Sequence, residues 1–286
     1  MSTQPFDPVR YKAGQRREWS TAAPAWKNWW QRIEPMLQPV SDRMMDLAGI
    51  RPGQQVLDVA TGIGEPAVTA TRRVGPAGRV IATDIASQML DIGRKRVTEL
   101  ALDNIDFREM DAEALELPES SFDAILCRFG LMFLPNLQMA LGRMRELLVP
   151  GGRLTAAVWG TPQKVPFASV PVAVALRELH APAPPPGLPG PFHLADVDEL
   201  KQLFGQAGFS RIYTESMTLT FEWFSPDEFV SFHQEVLTQL NALLARHPIE
   251  RQAEVWQAVA AAAGQYRTPA GTLLMENEVI LAVGRR

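Results

Sequence analysis

Hydrophobic and polar positions divide the chain into short apolar runs and longer segments with helical spacing. From residue 54 to residue 160, apolar runs of five to eight residues alternate with segments in which apolar residues recur every three or four positions. This alternation predicts a parallel sheet with helices on both faces. The predicted strands are 54–60, 79–84, 105–111, 122–129 and 153–160, and helices are expected after the first, second and fourth of them.

The segments on either side of this alternation predict caps on the sheet. Before it, a helix is predicted over 26–37 with a break or kink at Pro35, followed by a shorter helix over 41–47 that Ser41 caps. After it, a helix over 168–180 precedes a stretch with six prolines, 181–191, which predicts a stiff loop or lid. A helix over 196–207, a strand over 210–221, a helical insertion over about 225–265 and a strand over 272–283 follow.

These elements predict an α/β protein with a doubly wound, seven-stranded, mostly parallel sheet, an antiparallel terminal strand and helical cap insertions. The antiparallel strand is expected because a return segment separates the last two strands. The expected divisions are an N-terminal helical cap (1–40), a cofactor-binding core (41–160), a lid insertion (161–195), a continuation of the core (196–221), a helical cap insertion (222–271) and a final core strand (272–286).

Composition and charge exclude several classes of protein. The 286 residues are 46% hydrophobic and 21% charged, which is ordinary for a folded protein. A net charge of -4 gives no attraction to nucleic acid, so none is expected as a partner. The single cysteine, Cys127, permits neither an intrachain disulfide nor a thiolate-rich zinc site, and the four histidines are too widely spaced to suggest a metal. No run is apolar enough to span a membrane and residues 1–14 lack a signal core, so a cytoplasmic location is expected, with oligomerisation left open.

A glycine loop at the end of the first predicted strand indicates the chemistry. The segment 56–65, VLDVATGIGE, brings Asp58 to the strand end, and Gly62 and Gly64 then allow close approach of the backbone to a ligand. By itself this loop fits both a dinucleotide fingerprint and a nucleoside-binding turn. Asp84 ends the next strand, twenty residues after Gly64, where either ligand would offer ribose hydroxyls.

Further segments narrow the choice between the dinucleotide fingerprint and the nucleoside-binding turn. Asp111 ends the third predicted strand, and Pro150-Gly151-Gly152 introduces the fifth. With the segments VLDVATGIGE, ATDIASQML, MDAEALELP, FDAILCRFGLMF and LVPGGRL, the chain resembles the class I S-adenosylmethionine-dependent methyltransferases, in the branch that includes the ubiquinone/menaquinone biosynthesis methyltransferases. The resemblance covers 40–160 closely and 196–221 and 272–286 more loosely. It implies a Rossmann-like methyltransferase fold, S-adenosylmethionine as cofactor and S-adenosylhomocysteine as product.

The resemblance also implies which residues bind the methionine end of the donor. Asp58 would reach the amino group through water, and Tyr11 is expected to close over the carboxylate. The other expected contacts are the backbone of Ala60, Thr61, Gly62, Gly64 and Cys127 and the side chains of Arg128 and Phe129, the last three lying under the sulfonium. Ala60 departs from the family pattern, since many members have glycine there, but donor binding is expected to survive so small a side chain.

The adenosine end would be bound by a second group of residues. Asp84 would bind the ribose hydroxyls, and Ile85 and Met89 would enclose the adenine ring. Asp111 and the Ala112 amide would recognise its edge.

The acceptor is expected to be a hydrophobic small molecule, methylated at carbon, oxygen or nitrogen by direct displacement. The cap segments are rich in aromatic residues, and a pocket so lined favours an apolar ligand. The predicted pocket residues are Trp19, Trp26, Trp30, Phe167, Phe192 and Trp223. A base is needed only where the acceptor must lose a proton, and His193 and His233 are the candidates for it.

Three alternatives remain open at this point. The same fold can hold S-adenosylmethionine for a cyclisation or rearrangement without methyl transfer, which the mass of the product would distinguish. A binding module without chemistry is disfavoured by the intact set of Asp58, Gly62, Gly64, Asp84 and Asp111. A nicotinamide-dependent oxidoreductase also fits the glycine loop, and the absorbance of a purified cofactor would reveal it.

Overall fold

A computed structural model describes residues 6–183, 185 and 187–286, and a seven-stranded sheet forms its centre. The strands are β1 (Gln55–Val59), β2 (Arg79–Asp84), β3 (Ile105–Glu109), β4 (Phe122–Arg128), β5 (Leu148–Trp159), β6 (Ser210–Trp223) and β7 (Leu273–Arg285). Their order across the sheet is β3-β2-β1-β4-β5-β7-β6. The chain therefore reverses direction across the sheet between β1 and β4, which is where open α/β sheets bind ligands.

The pairing confirms the predicted fold class. The strand pairs β1–β2, β2–β3, β1–β4 and β4–β5 are parallel, whereas β7 is antiparallel to both β5 and β6. Four of the five residues of β1 are buried. A central strand covered on both faces needs such a continuous apolar run, and the sequence shows one.

The first helix, α1 (Pro8–Ala48), is one continuous helix of 41 residues. Asp7 caps its start by accepting hydrogen bonds from the Val9 and Arg10 amides, and Gly49 ends it with a left-handed φ of 70°. The predicted break at Pro35 and the separate helix beginning at Ser41 are wrong. Pro24, Pro35 and Pro39 all lie inside the helix.

Packing explains why α1 continues through its prolines. Proline removes one backbone hydrogen bond and disfavours a helix interior. Beyond Pro35, however, Leu37, Val40 and Met44 recur at helical spacing and are buried in the main core. The burial of this apolar face offsets the lost hydrogen bonds, at roughly 1.5–3 kcal/mol for each fully buried large apolar side chain.

The other helices cover both faces of the sheet. They are α2 (Ala67–Val74), α3 (Ser87–Glu99), α4 (Leu137–Leu147), α5 (Pro166–Glu178), α6 (Val197–Gln206), α7 (Pro226–Val236), α8 (Thr238–Leu244) and α9 (Ile249–Ala263). The predicted insertion over 225–265 thus forms three helices. Within the proline-rich stretch, residues 184 and 186 lie outside the described residues, as do residues 1–5 of the predicted N-terminal cap. None of the helices in the described residues has an apolar stretch long enough to span a membrane.

Candidate active site

A cleft lies at the carboxyl ends of β1, β2 and β4, between these strand ends and α1. The space in it that lies outside the protein atoms is about 1170 Å³, part of which is open to solvent. Its walls come from the loops after β1, β2, β3 and β4 and from one face of α1. Four of the five sequence segments that carried the family resemblance therefore meet at one place, and the fifth, LVPGGRL, lies elsewhere.

The glycine loop forms the floor of the cleft beside β1. Gly62 has a φ of 56°, and a Cβ atom there would meet nothing within 4 Å, so the loop leaves open space at this point. Ala60 has a φ of 58°, a left-handed conformation that favours glycine and that costs other residues on the order of 1 kcal/mol or more. The strain at Ala60 gives a physical reason why many family members have glycine at this position.

The loop after β4 lies very close to the glycine loop. A Cβ atom on Gly130 would lie 2.6 Å from the Ala60 Cβ and 2.8 Å from the Cys127 Sγ. Only glycine fits between the two loops without a shift of the backbone. Its neighbour Phe129 also has a positive φ, 59°, and lines the cleft.

Asp58, at the end of β1, is fully buried directly behind the cleft. Neither carboxylate oxygen has a partner in good hydrogen-bonding geometry within the described residues, although the Thr61 hydroxyl and the Ala67 amide lie near enough to lower its pKa. Burial raises the pKa of Asp58 to about 8, and the nearby Thr61 and the charge of Arg128 only partly offset this effect. An unpartnered buried carboxylate is costly unless a ligand completes it.

Asp84, at the end of β2, is also buried but has partners. Its Oδ2 accepts a hydrogen bond from the Gly62 amide at 2.8 Å, and its Oδ1 accepts one from the Ala86 amide at 2.9 Å. Burial raises the pKa of Asp84, and these backbone hydrogen bonds act in the opposite direction. Asp84 therefore holds the glycine loop in place and still lines the cleft.

A cluster of four charges lies where β4 meets α1. Arg128 forms a bidentate ion pair with Glu34 of α1, with distances of 2.9 and 3.0 Å, and donates a third hydrogen bond to the Ser41 hydroxyl. Burial raises the pKa of Glu65, to which Arg96 lies 3.6 Å away. Glu34, Glu65 and Arg128 line the cleft. Buried charges of this kind are expensive and are concentrated at functional sites.

An apolar wall forms the part of the cleft nearest α1. The predicted residues Trp19, Trp26 and Trp30 line it, and Trp19 packs edge-on against Phe133 at 5.5 Å between ring centroids. The Arg96 guanidinium covers the Trp30 ring at 3.3 Å from its centroid. The other apolar residues of the wall are Ile33, Leu37, Phe129, Leu134 and Pro135.

Most predicted donor residues come together in this cleft. Those that line it are Ala60, Thr61, Gly62, Asp84, Ile85, Met89, Asp111, Ala112, Arg128 and Phe129. Asp58, Gly64 and Cys127 lie behind its surface. Burial raises the pKa of the Cys127 thiol to about 12, so it stays protonated at neutral pH. Tyr11 donates a hydrogen bond to the Pro189 carbonyl instead of facing the cleft.

The structure does not bring the predicted base His233 to the cleft. His233 is buried, and its two ring nitrogens face the carbonyl oxygens of Phe229 at 2.7 Å and Phe167 at 3.0 Å. Burial lowers its pKa to about 4, so at neutral pH it is neutral and donates its single N–H to one of these two carbonyls. Its assignment as a catalytic residue is therefore corrected to a core histidine that joins α7 to α5.

Four further predicted residues also lie away from the cleft. Phe167 and Trp223 stack at 6.1 Å inside a buried aromatic cluster that includes Phe232. This cluster stands behind the cleft wall, because Phe232 packs edge-on against Trp26. Phe192 packs against the core, and the His193 amide donates to the Gly190 carbonyl in the turn that follows the proline-rich stretch. Phe167 and Trp223 therefore support the cleft wall from behind, whereas they were expected to line the pocket.

The sequence prediction missed several residues of the cleft. On α1 these are Lys12, Gln15, Ile33, Glu34 and Leu37, and elsewhere Ile63, Glu65, Met110, Gly130, Phe133, Leu134 and Pro135. The α1 residues share a signal with the predicted tryptophans, since all of them recur at intervals of three, four or seven. Lys12 and Gln15 were missed because the predicted helix began only at residue 26, whereas α1 begins at Pro8.

The sheet order, the glycine loop and the carboxylate that ends β2 define a nucleoside-binding α/β protein with a methyltransferase-type sheet. The residues present fit S-adenosylmethionine in particular. The unpartnered carboxylate of Asp58 suits an ammonium group, and the open space at Gly62 suits close backbone contact with a ligand.

Comparison with known proteins specifies the family. The model of the ubiE/COQ5 methyltransferase family matches residues 39–170. The ubiquinone/menaquinone biosynthesis C-methyltransferase UbiE of Pseudomonas putida is 33% identical over 184 residues, which cover 61% of this chain and 72% of that protein. The chain therefore belongs to the ubiE/COQ5 methyltransferase family, and the expectation of an S-adenosylmethionine-dependent methyltransferase is confirmed at the level of the family.

Other similarities are more partial. UbiE of Teredinibacter turnerae is 38% identical over 120 residues, 42% of this chain, and the matched part spans about half of that relative, 48%. Phosphoethanolamine N-methyltransferase 2 of Haemonchus contortus, solved with S-adenosyl-L-methionine, superposes with a TM-score of 0.60 at 17% identity, covering 96% of this chain and 60% of that one. At that identity the structural similarity supports the fold alone.

Proposed function

We propose that the protein transfers the methyl group of S-adenosylmethionine to a hydrophobic small molecule by direct displacement. The observation that carries this proposal is the composition of one continuous cleft. Its polar part is built from Asp84, Asp111 and the glycine loop, and its apolar part is built from three tryptophans of α1. Arg128 and Phe129 line the same cleft, where they are expected to lie under the sulfonium.

The residues of the cleft need to supply little beyond position. S-adenosylmethionine supplies a methyl group that is already activated on a sulfonium, so alignment with the acceptor can account for much of the rate. Asp58 would reach the ammonium group through water, Asp84 would bind the ribose hydroxyls, and the backbone at Gly62 would contact the methionine moiety. The aromatic wall would orient the acceptor and exclude water.

The names of the relatives support a more specific version of the proposal. The curated relatives are called ubiquinone/menaquinone biosynthesis C-methyltransferases, which favours carbon over oxygen or nitrogen as the methylated atom. An apolar ring would fit the tryptophan wall, since aromatic pairs gain about 0.5–1.5 kcal/mol beyond their buried area. The acceptor side of the cleft includes residues 19–37, which lie outside the part that the family model matches.

Calorimetry followed by product analysis tests this function. Titration with S-adenosylmethionine and then S-adenosylhomocysteine should give one site per chain with micromolar affinity. A panel of apolar aromatic acceptors is then incubated with the protein and the donor, and mass spectrometry should find a product heavier by one methyl group in place of hydrogen. A product of unchanged mass would instead indicate a cyclisation or rearrangement. Failure of both ligands to bind would overturn the proposal.

A further inference from the structure

The first turns of α1 are fastened to the cleft by a lysine that the family core does not contain. The Lys12 Nζ lies 2.7 Å from the Asp111 Oδ2 and 2.8 Å from the Glu113 Oε2. Lys12 and Asp111 both line the cleft, whereas the family model matches only from residue 39 onward. One ammonium group therefore bridges two carboxylates at the end of the cleft where adenine is expected.

The contact with Glu113 fixes the position of the lysine. The Glu113 side chain is only 2% exposed. Its two oxygens also accept hydrogen bonds from the Asn136 amide at 2.7 Å and the Asn136 side chain at 2.8 Å. Glu113 is thus held in place at the start of α4, and Lys12 is held by Glu113. The hydrogen bonds to both carboxylates outweigh the effect of burial and raise the pKa of Lys12, so the bridge stays charged at neutral pH.

The contact with Asp111 fixes the direction of that carboxylate. The Asp111 Oδ1 accepts a hydrogen bond from the Glu113 amide at 2.9 Å, and its Oδ2 accepts one from Lys12. Each carboxylate oxygen has a second lone pair. Asp111 can therefore accept a further hydrogen bond from the cleft while its rotamer is fixed from behind by two donors.

Two neighbours of Lys12 on α1 reinforce the same attachment. The Tyr11 hydroxyl donates to the Pro189 carbonyl at 3.2 Å, and the Arg16 Nε donates to the Ile85 carbonyl at 3.1 Å. Within two turns, α1 is thus joined to the loop after β2, the loop after β3 and the proline-rich stretch. The contacts to Ile85 and Asp111 lie at residues that are expected to bind adenine.

We infer that Lys12 is a positioning residue of the donor site, which orients Asp111 toward the adenine amino group and fastens α1 over that end of the cleft. This inference rests on the proposed function, because it takes the adenosine of the donor to lie at Asp111. It makes adenine recognition depend on the first turns of α1, which precede the part matched by the family model.

The test compares two ligands in three variants by calorimetry. S-adenosylhomocysteine carries the adenine amino group, and S-inosylhomocysteine has an oxygen in its place. Lys12→Met should weaken S-adenosylhomocysteine about tenfold, in line with the loss of a charged hydrogen bond, and should reduce the preference for adenine over hypoxanthine. Lys12→Arg should retain most of the affinity for S-adenosylhomocysteine and most of the preference for adenine. Lys27→Met is the matched control, since Lys27 is exposed on the same helix and forms no ion pair among the described residues, and it should change neither.

The outcomes separate the possible failures. If Lys12→Met keeps the wild-type affinity and preference, the inference is overturned. If it weakens both ligands equally, Lys12 only fastens the helix and the assignment to adenine recognition is wrong. If the wild-type protein binds neither ligand, the proposed function itself fails. Thermal melting of Lys12→Met and Lys12→Arg is measured alongside, so that a loss of folding is recognised as such.

Discussion

The carboxyl ends of β1 and β2 lie side by side, and each carries a buried aspartate, yet the two aspartates have opposite surroundings. Asp84 accepts hydrogen bonds from two backbone amides, whereas Asp58 accepts none within the described residues. Asp84 is therefore part of the folded architecture as well as a candidate for binding ribose. Asp58 is buried without a hydrogen bond of good geometry and holds its proton at neutral pH in the free protein, so its charged form needs a cationic ligand. The same residue type at equivalent positions thus serves two different purposes.

The largest effect is expected for Asp84→Ala. This substitution removes the ribose contact and also frees the Gly62 and Ala86 amides, so the glycine loop loses its anchor. Donor affinity should fall by about 1.5–3 kcal/mol, the range for hydrogen bonds to a charged group. Calorimetry with S-adenosylhomocysteine measures this change. Asp91→Ala, at an exposed ion pair on α3, is the control, and an unchanged affinity in Asp84→Ala would refute its assignment to the ribose.

Asp58→Asn should have a somewhat smaller effect that depends on pH. In the free protein Asp58 holds a proton below pH of about 8, whereas an ammonium ligand requires the carboxylate. Binding therefore releases a proton, and wild-type affinity should rise between about pH 6 and pH 7.5, by up to tenfold per pH unit. Asp58→Asn should bind about 1.5 kcal/mol more weakly at pH 7.5 and lose this slope. Equal slopes in the two proteins would contradict the contact.

Asp58→Asn should weaken donor binding but should increase the stability of the ligand-free protein. Because folding raises the pKa of Asp58 from its usual 3.8 to about 8, the stability that protonated Asp58 contributes is fully present below about pH 4 and is lost as the pH rises toward 8. Asp58→Asn lacks this loss, so at pH 8 its ligand-free form should be more stable than the wild type, by about 1 kcal/mol. Urea unfolding at pH 6 and pH 8 measures the difference, which should widen with pH. A destabilised variant at pH 8 would count against the orphaned carboxylate.

The smallest effect on the donor is expected for His233→Asn. This residue is as buried as the two aspartates, but its partners are backbone carbonyls far from the cleft. The substitution should cost about 1–2 kcal/mol of unfolding free energy and leave donor affinity unchanged. Thermal melting and calorimetry together test both statements. A loss of donor affinity without a loss of stability would contradict this prediction and would indicate a role for His233 in the cleft.

The core of the fold follows from local sequence patterns, and the caps do not. The strands and the glycine loop are predictable because apolar runs, glycines and strand-end aspartates act within a few residues of one another. The continuity of α1 is not, because the cost of Pro35 is local whereas the compensating burial of Val40 and Met44 comes from distant strands. For the same reason the sequence could not separate the tryptophans that line the cleft from Trp223, which lies in the cluster behind them.

Because α1 is continuous, an insertion or deletion within it would move several cleft residues together. Lys12, the three tryptophans and Glu34 project from a single rigid helix, so their angular positions are linked by its period of about 100° per residue. Deleting one residue between Lys12 and Trp26 would turn the lysine away from Asp111, whatever residue was removed. Adding seven residues would preserve the angle to within about 20° and lengthen the helix by about 10 Å. An insertion near a whole number of turns therefore keeps these side chains on the cleft face, but even seven residues would carry Lys12 out of reach of Asp111.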